Sequence, residues 1–166
     1  MWRIETLDTA KHDREPFDSG EPSLDEWLKL YANQSARRGN TLTRVLVQDD
    51  DPRVLGYYAQ CAYSLVGEEL ALAFSGNQKY PIPCVLLARL ARCRSVQGQG
   101  VGEVLLAHAL RACLRVSEDA GLQFVVVDAI NDKAVRFYEK NGFERFANHP
   151  EKLLIPLKTV RELFDG

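Results

Sequence analysis

Apolar positions along the chain follow first a helical and then a strand-like period. Leu24, Trp27, Leu28 and Tyr31 recur at helical spacing in LDEWLKLYANQSARR, with Ser23 and Glu26 spaced as a capping box and Gly39 placed to end the helix. TRVLVQ reads as a strand, Asp49 to Pro52 as a turn, and RVLGYYAQCAYSLV as a longer strand. Residues 67–80 read as a short helix or loop ending at Pro81 and Pro83. CVLLARLARC is an apolar run bounded by turn signals, consistent with a buried strand. A glycine-rich turn, SVQGQGVG, leads into a strong helix over EVLLAHALRACLRVSEDA, closed by Gly121. QFVVVDA is the clearest buried strand. NDKAVRFYEKNGF reads as a helix from an Asn131 cap to a Gly142 stop, FERF and KLLIPL as the last strands, and TVRELF as a closing helical turn. Helices cross between strands in the second half, so the order predicts an α/β sheet protein.

Length adds that the 166 residues suit one domain, residues 1–166, with a core that needs no disulfide or metal staple. Apolar residues make up 46% and charged residues 27%, which excludes a disordered or fibrous chain. Cys61, Cys84, Cys93 and Cys113 form no CxxC pair, and His12, His108 and His149 are scattered, so no metal motif is predicted. The N-terminus lacks an apolar signal core, and no stretch approaches the roughly 20 apolar residues of a membrane span. A soluble, reduced, cytoplasmic protein is expected.

The net charge of −2 argues against a generic basic nucleic-acid binder, yet the charges are segregated. Residues 27–48 hold Lys29, Arg37, Arg38 and Arg44 and no acid, and residues 70–102 hold Lys79, Arg89, Arg92 and Arg94 and no acid. The two windows sum to +8 and the remaining chain to −10. Such a layout can give an RNA-binding face on an acidic chain, or simply a solvated helix face beside a phosphate site.

Gln97-Gly98-Gln99-Gly100-Val101-Gly102 lies between a buried strand and a long helix. Glycines let the backbone turn sharply, and the following helix offers unpaired N–H donors and the positive end of its dipole, which suits a phosphate or pyrophosphate. A dinucleotide fingerprint would need glycine at position 103, which is Glu103, and no Gly-Lys-Ser/Thr triplet exists for a Walker loop. A tight turn with no ligand is the alternative.

Taken with the segment 131–143, this turn resembles the Gcn5-related N-acetyltransferase (GNAT) superfamily. The Arg/Gln-x-x-Gly-x-Gly/Ala motif is matched by Gln97, Gly100 and Gly102. Asn-x-x-Ala-x-x-Phe-Tyr, followed by Gly-Phe, is matched by Asn131, Ala134, Phe137, Tyr138, Gly142 and Phe143. The resemblance implies a mixed central sheet flanked by helices, with splayed middle strands, and acetyl-CoA as co-substrate without a metal. It places the CoA pyrophosphate on the amides of Gln97, Gly98, Gln99, Gly100, Val101 and Gly102. The pantetheine arm would lie along the backbone of Leu90, Ala91 and Arg92, with Asn131 and Phe137 beside it. Tyr138 would protonate the departing thiolate. A phenol is neutral near pH 7 and can donate a proton there, although a tyrosine on an amphipathic helix can also be there only to pack. A free α-amino group, with a pKa near 8, is already partly neutral, and Glu68, Glu69 and Asp128 are candidate bases.

Residues 17–157 further resemble a toxin branch of that superfamily. PFDSGEPSLDEWL matches its Phe-x-Ser/Cys-Gly start and Leu-Asp-x-Trp-Leu helix, GYYAQCAYSL its Gly-Tyr-Tyr strand, and PIPCVLLARLA its Pro-x-Pro-x-x-x-Leu-x-Arg-Leu-Ala strand. Members acetylate the α-amino group of aminoacyl-tRNA and block translation, are neutralised by a ribbon-helix-helix antitoxin, and favour homodimers. With the segregated charges, Arg37, Arg38, Arg44, Arg89 and Arg92 are expected to contact tRNA phosphates near the acceptor end; Arg89 matches the branch's arginine and Arg92 does not. The chain departs from the branch at Arg92-Cys93, where Val-Asp is common, at Val96, where Trp is common, and at Gln99, where a cation is common. Other readings are acetylation of a small amine or protein amine, and a non-catalytic acyl-CoA-binding module acting through an antitoxin.

Overall fold

The computed structural model describes residues 1–76 and 80–165. Its elements are β1 (Trp2–Thr6), α1 (Pro22–Leu30), α2 (Ala32–Arg37), β2 (Leu42–Gln48), β3 (Gly56–Leu65), α3 (Glu68–Ala73), β4 (Ile82–Arg92), α4 (Val101–Asp119), β5 (Phe124–Asp128), α5 (Asp132–Lys140), β6 (Glu144–Phe146), β7 (His149–Pro156) and α6 (Leu157–Asp165), with a 3₁₀ turn at Arg94–Val96. The strands form a mixed sheet ordered β1-β2-β3-β4-β5-β7-β6, as the α/β expectation requires. By contact density the chain divides into two compact units, residues 1–61 with 88–109 and residues 62–87 with 110–166.

In the first unit β1, β2 and the start of β3 run antiparallel, with Val45 opposite Tyr57 and Arg44 opposite Tyr58. Successive side chains in a strand point to opposite faces, so these two pairs mark the two faces of the sheet. On one face Tyr57 is fully buried and its hydroxyl donates to the Leu24 carbonyl of α1 at 2.7 Å. Phe17 meets its ring edge-on at 5.6 Å, and Trp27 stacks on it at 6.1 Å. On the other face Tyr58 donates to or accepts from Nδ1 of His108 on α4, at 2.7 Å. Gly56 allows α4 to come close on that same side, since a Cβ there would sit 2.9 Å from Leu105 Cδ1 and 3.3 Å from the Ala91 carbonyl oxygen.

In the second unit β4 runs parallel to β5 from Cys84↔Phe124 to Leu87↔Val127, and there the pairing stops. β5 continues antiparallel to β7 from Phe124↔Pro156 to Asp128↔Lys152. Leu65, Leu70, Ala73, Ile82, Cys84, Val126, Phe146 and Leu154 form its core, which the run FVVVD supplies from the middle. Removing these side chains from water is the main stabilising term, at about 25 cal/mol per Å² of apolar surface.

Four local expectations change. The capping box at Ser23 and Glu26 does not form: α1 starts one residue earlier with Pro22 in its first turn and Glu21 as a cap without a side-chain hydrogen bond. Proline's fixed φ favours that first position. The single helix read through residues 24–38 is broken at Tyr31, whose φ of −120° separates α1 from α2. The N-terminal stretch, to which the sequence reading assigned no element, is the edge strand β1, and the closing turn is a nine-residue helix, α6. Gly39 does end its helix, in the left-handed region at φ 73°.

Candidate active site

The glycine-rich turn belongs to the first unit. Gly98 and Gly100 both have left-handed backbones, at φ 81° and 79°, and nothing lies within 4 Å of where their Cβ atoms would be. A ligand can therefore approach the main chain there without meeting a side chain. The Gln97 N–H donates to the Arg94 carbonyl and the Gln99 N–H to the Val96 carbonyl, so both amides are used within the turn. The set that can face an anion narrows to Gly98, Gly100, Val101 and Gly102, the last two in the first turn of α4, where N–H groups lack intrahelical partners. Leu90, Ala91 and Arg92 end β4, beyond its last pair with β5.

The arginines do not share one surface. Arg89 places its guanidinium 4.7 Å from the centre of the Trp27 ring, on the sheet face that carries Tyr57 and α1. Arg44 stands on the opposite face, across from Tyr58. Its Nε is buried and lacks a hydrogen-bond partner. Arg92, three residues beyond Arg89, is placed by strand alternation away from Arg89's face. Arg37 and Arg38 are exposed at the end of α2, and Arg94 pairs with Asp18 at 3.2 Å. Lys79 lies outside the described residues.

The Asn-x-x-Ala-x-x-Phe-Tyr segment belongs to the second unit. Asn131 caps α5 as read from sequence, its Oδ1 accepting from the Ala134 N–H at 2.9 Å. Gly142 follows the helix at φ 96°. Capping and amphipathic spacing together bury Val135 and Tyr138 on one side of α5. The Tyr138 ring sits between Phe137 and Phe143, each with its centroid 5.3 Å away. Burial raises its phenol well above the ordinary value of about 10, because the charged form would lose its water. Among the described residues its hydroxyl has no hydrogen-bond partner, and the buried side-chain atoms without one are Thr43 Oγ1 and Arg44 Nε alone. A phenol kept neutral by its surroundings suits a proton donor.

The carboxylates considered as bases are differently placed. Glu69, read as part of a solvated loop, is half-buried in the first turn of α3 and accepts a short hydrogen bond from the Tyr63 hydroxyl. Lys152 lies 3.2 Å from Asp128 and 4.0 Å from Glu69. Glu68 is exposed. None stands alone in an apolar pocket: Glu69 and Asp128 have partners and Glu68 faces solvent. Among the described residues no group of His, Cys, Asp and Glu side chains could hold a metal ion, and no helix is long and apolar enough to cross a membrane.

Sequence reasoning missed the Tyr58–His108 pair and the stacking of Arg89 on Trp27. Both depend on strand register, which no local motif reveals.

A parallel pair that ends while β4 runs on, a glycine turn opening a long helix, and a capped helix carrying a buried tyrosine are each features of an acyltransferase fold. The chain matches the acetyltransferase (GNAT) domain family over residues 41–145, and it belongs to that family. Its relatives narrow the comparison. The chain is 35% identical over 147 residues to a tRNA-acetylating toxin of Mycobacterium tuberculosis, covering 89% of this chain and 87% of that protein. Among solved structures it resembles a tyrosine-to-phenylalanine mutant of the toxin AtaT bound to acetyl-CoA and the C-terminus of the antitoxin AtaR. That match has a TM-score of 0.87 and 32% identity, and covers 99% of each chain. It also resembles AtaT complexed with acetyl-methionyl-tRNAfMet, with a TM-score of 0.84 and 30% identity over 99% of each chain.

Proposed function

We propose that this acetyltransferase is a toxin that transfers the acetyl group of acetyl-CoA to the α-amino group of an aminoacyl-tRNA and so blocks translation. The observation that carries the reading is Tyr138, at the position of the motif tyrosine, its ring buried between Phe137 and Phe143 and its phenol held neutral by that burial. Support comes from end-to-end similarity to a toxin complexed with acetyl-methionyl-tRNA.

In this reading the amides of Gly98, Gly100, Val101 and Gly102 hold the pyrophosphate. The backbone of Leu90, Ala91 and Arg92 pairs with the pantetheine arm as an added strand would. Phe137 supplies an apolar wall for the arm. Asn131 supports it by fixing the start of α5, since its Oδ1 is engaged by the cap. The neutral amine attacks the thioester carbonyl carbon, a C–N bond forms, and the C–S bond breaks. Tyr138 donates its proton to the leaving sulfur, and the proton released by the nitrogen returns to the phenolate through solvent. A free α-amino group titrates near pH 8, so no strong base is required.

Arg37, Arg38 and Arg89 bind phosphates near the acceptor end. Arg44 and Arg92 stand on the other sheet face and contribute less to that contact. Neutralisation by a ribbon-helix-helix antitoxin, homodimer formation and a cytoplasmic location complete the reading. The test is transfer of labelled acetyl groups to charged tRNA, uncharged tRNA and small amines. Charged tRNA alone should take label, and Tyr138→Phe should lower the rate about 100-fold or more. Label on small amines but not on tRNA would replace the acceptor, and acetyl-CoA binding without any transfer would remove the activity.

A further inference from the structure

We infer that Trp27 is a positioning residue for RNA, holding Arg89 edge-outward so that its guanidinium grips one phosphate of the acceptor strand through two parallel hydrogen bonds. The inference rests on the aminoacyl-tRNA reading and extends it to a residue outside both acetyltransferase motifs.

Arg89 is a half-buried cation for which, among the described residues, no carboxylate lies within ion-pair distance. The nearby acid on α1, Asp25, is engaged by Ser19: it accepts from the Ser19 N–H at 3.0 Å and from the Ser19 hydroxyl at 2.6 Å. A partly desolvated guanidinium without an anion is costly unless something else holds it. Here the holder is the Trp27 ring, 4.7 Å beneath it.

Trp27 is itself fixed. It stacks on Tyr57 with ring planes 12° apart, and the Tyr57 hydroxyl is tied to the Leu24 carbonyl one turn back along α1. The guanidinium carbon lies over the ring, a contact made through the π face that uses none of the N–H donors, and no hydrogen bond from the Arg89 side chain is seen among the described residues. That geometry suits two-point recognition of a phosphate and does not suit a lysine, whose ammonium is a point charge. A polynucleotide phosphate fits better than the CoA pyrophosphate, because the glycine turn and helix terminus already provide for the latter.

The experiment measures KM separately for charged tRNA and for acetyl-CoA, with a salt series, in wild type, Trp27→Leu, Trp27→Phe, Arg89→Ala and Arg89→Lys. Trp27→Leu and both Arg89 variants should raise the KM for charged tRNA about 3- to 30-fold and leave that for acetyl-CoA within about twofold. Trp27→Phe, which keeps an aromatic face, should recover most of the loss and guards against simple unfolding. Trp27→Leu combined with Arg89→Ala should be no worse than Arg89→Ala alone, since both changes remove one contact.

An unchanged KM for charged tRNA in a folded Trp27→Leu overturns the inference, as does full activity of Arg89→Lys. A rise confined to the KM for acetyl-CoA overturns it too, and moves the contact to the cofactor's phosphates. If the wild type transfers nothing to charged tRNA, the functional reading falls and takes this inference with it.

Discussion

In the proposed chemistry Tyr138 is both an enclosed side chain and the proton donor. Its ring contributes to the second unit's packing, and desolvation keeps the phenol protonated far into the alkaline range. A raised phenol pKa means that the neutral form persists as pH rises, so Tyr138 should cause no loss of activity in the range where the amine gains its lone pair. The rate at low acceptor concentration should therefore climb through about pH 8 and stay level to about pH 10. Tyr138→Phe should keep that rise at a much lower amplitude. A steady-state pH profile checks this, and a descending limb below pH 9 in the wild type alone would contradict it. The Asn131 cap, the place of Tyr138 on its helix and the glycine turn were legible because each is set by neighbours a few positions away. Trp27 with Arg89, and Tyr58 with His108, were not, since the residues of each pair meet only when distant segments fold together.

Secondary elements were legible where periodicity was long. The strands β2 to β5 and the helices α4 and α5 lie close to where the spacing of apolar residues puts them. Boundaries went astray where local chemistry competed: Pro22 took the start of α1 from Ser23, and Tyr31 divided a helix that looked continuous. β1 was missed because five half-exposed residues at a sheet edge carry little apolar signal. Gly56 has an element-level consequence. Replacing it with alanine puts a methyl group against Leu105 and the Ala91 carbonyl oxygen, and the backbone atom cannot step aside cheaply. Gly56→Ala should cost about 1–3 kcal/mol of stability, the usual penalty for overpacking, measured by urea denaturation. A neutral result would mean that α4 shifts freely over β3.

The molecule as an assembly shows charges separated along the sequence and then separated again by the sheet. The acid-free windows were visible in the chain, but whether their arginines share a surface was not. Alternation along β2 and β4 divides Arg44 from Arg89, so the salt dependence of tRNA binding should fall when Arg89 is removed and change little for Arg44→Ala. The sheet has one further consequence, at Leu87, where β4 parts from β5. Cys93, just past the strand, donates its N–H to Leu55 on the β3 side. By alternation, the N–H groups of Leu90 and Arg92 point the other way, where the parallel register has ended. Among the described residues no strand pairs with those two protons. In deuterated buffer they should wash out well ahead of the amides of residues 84–87, and a thioester laid alongside should slow their clock.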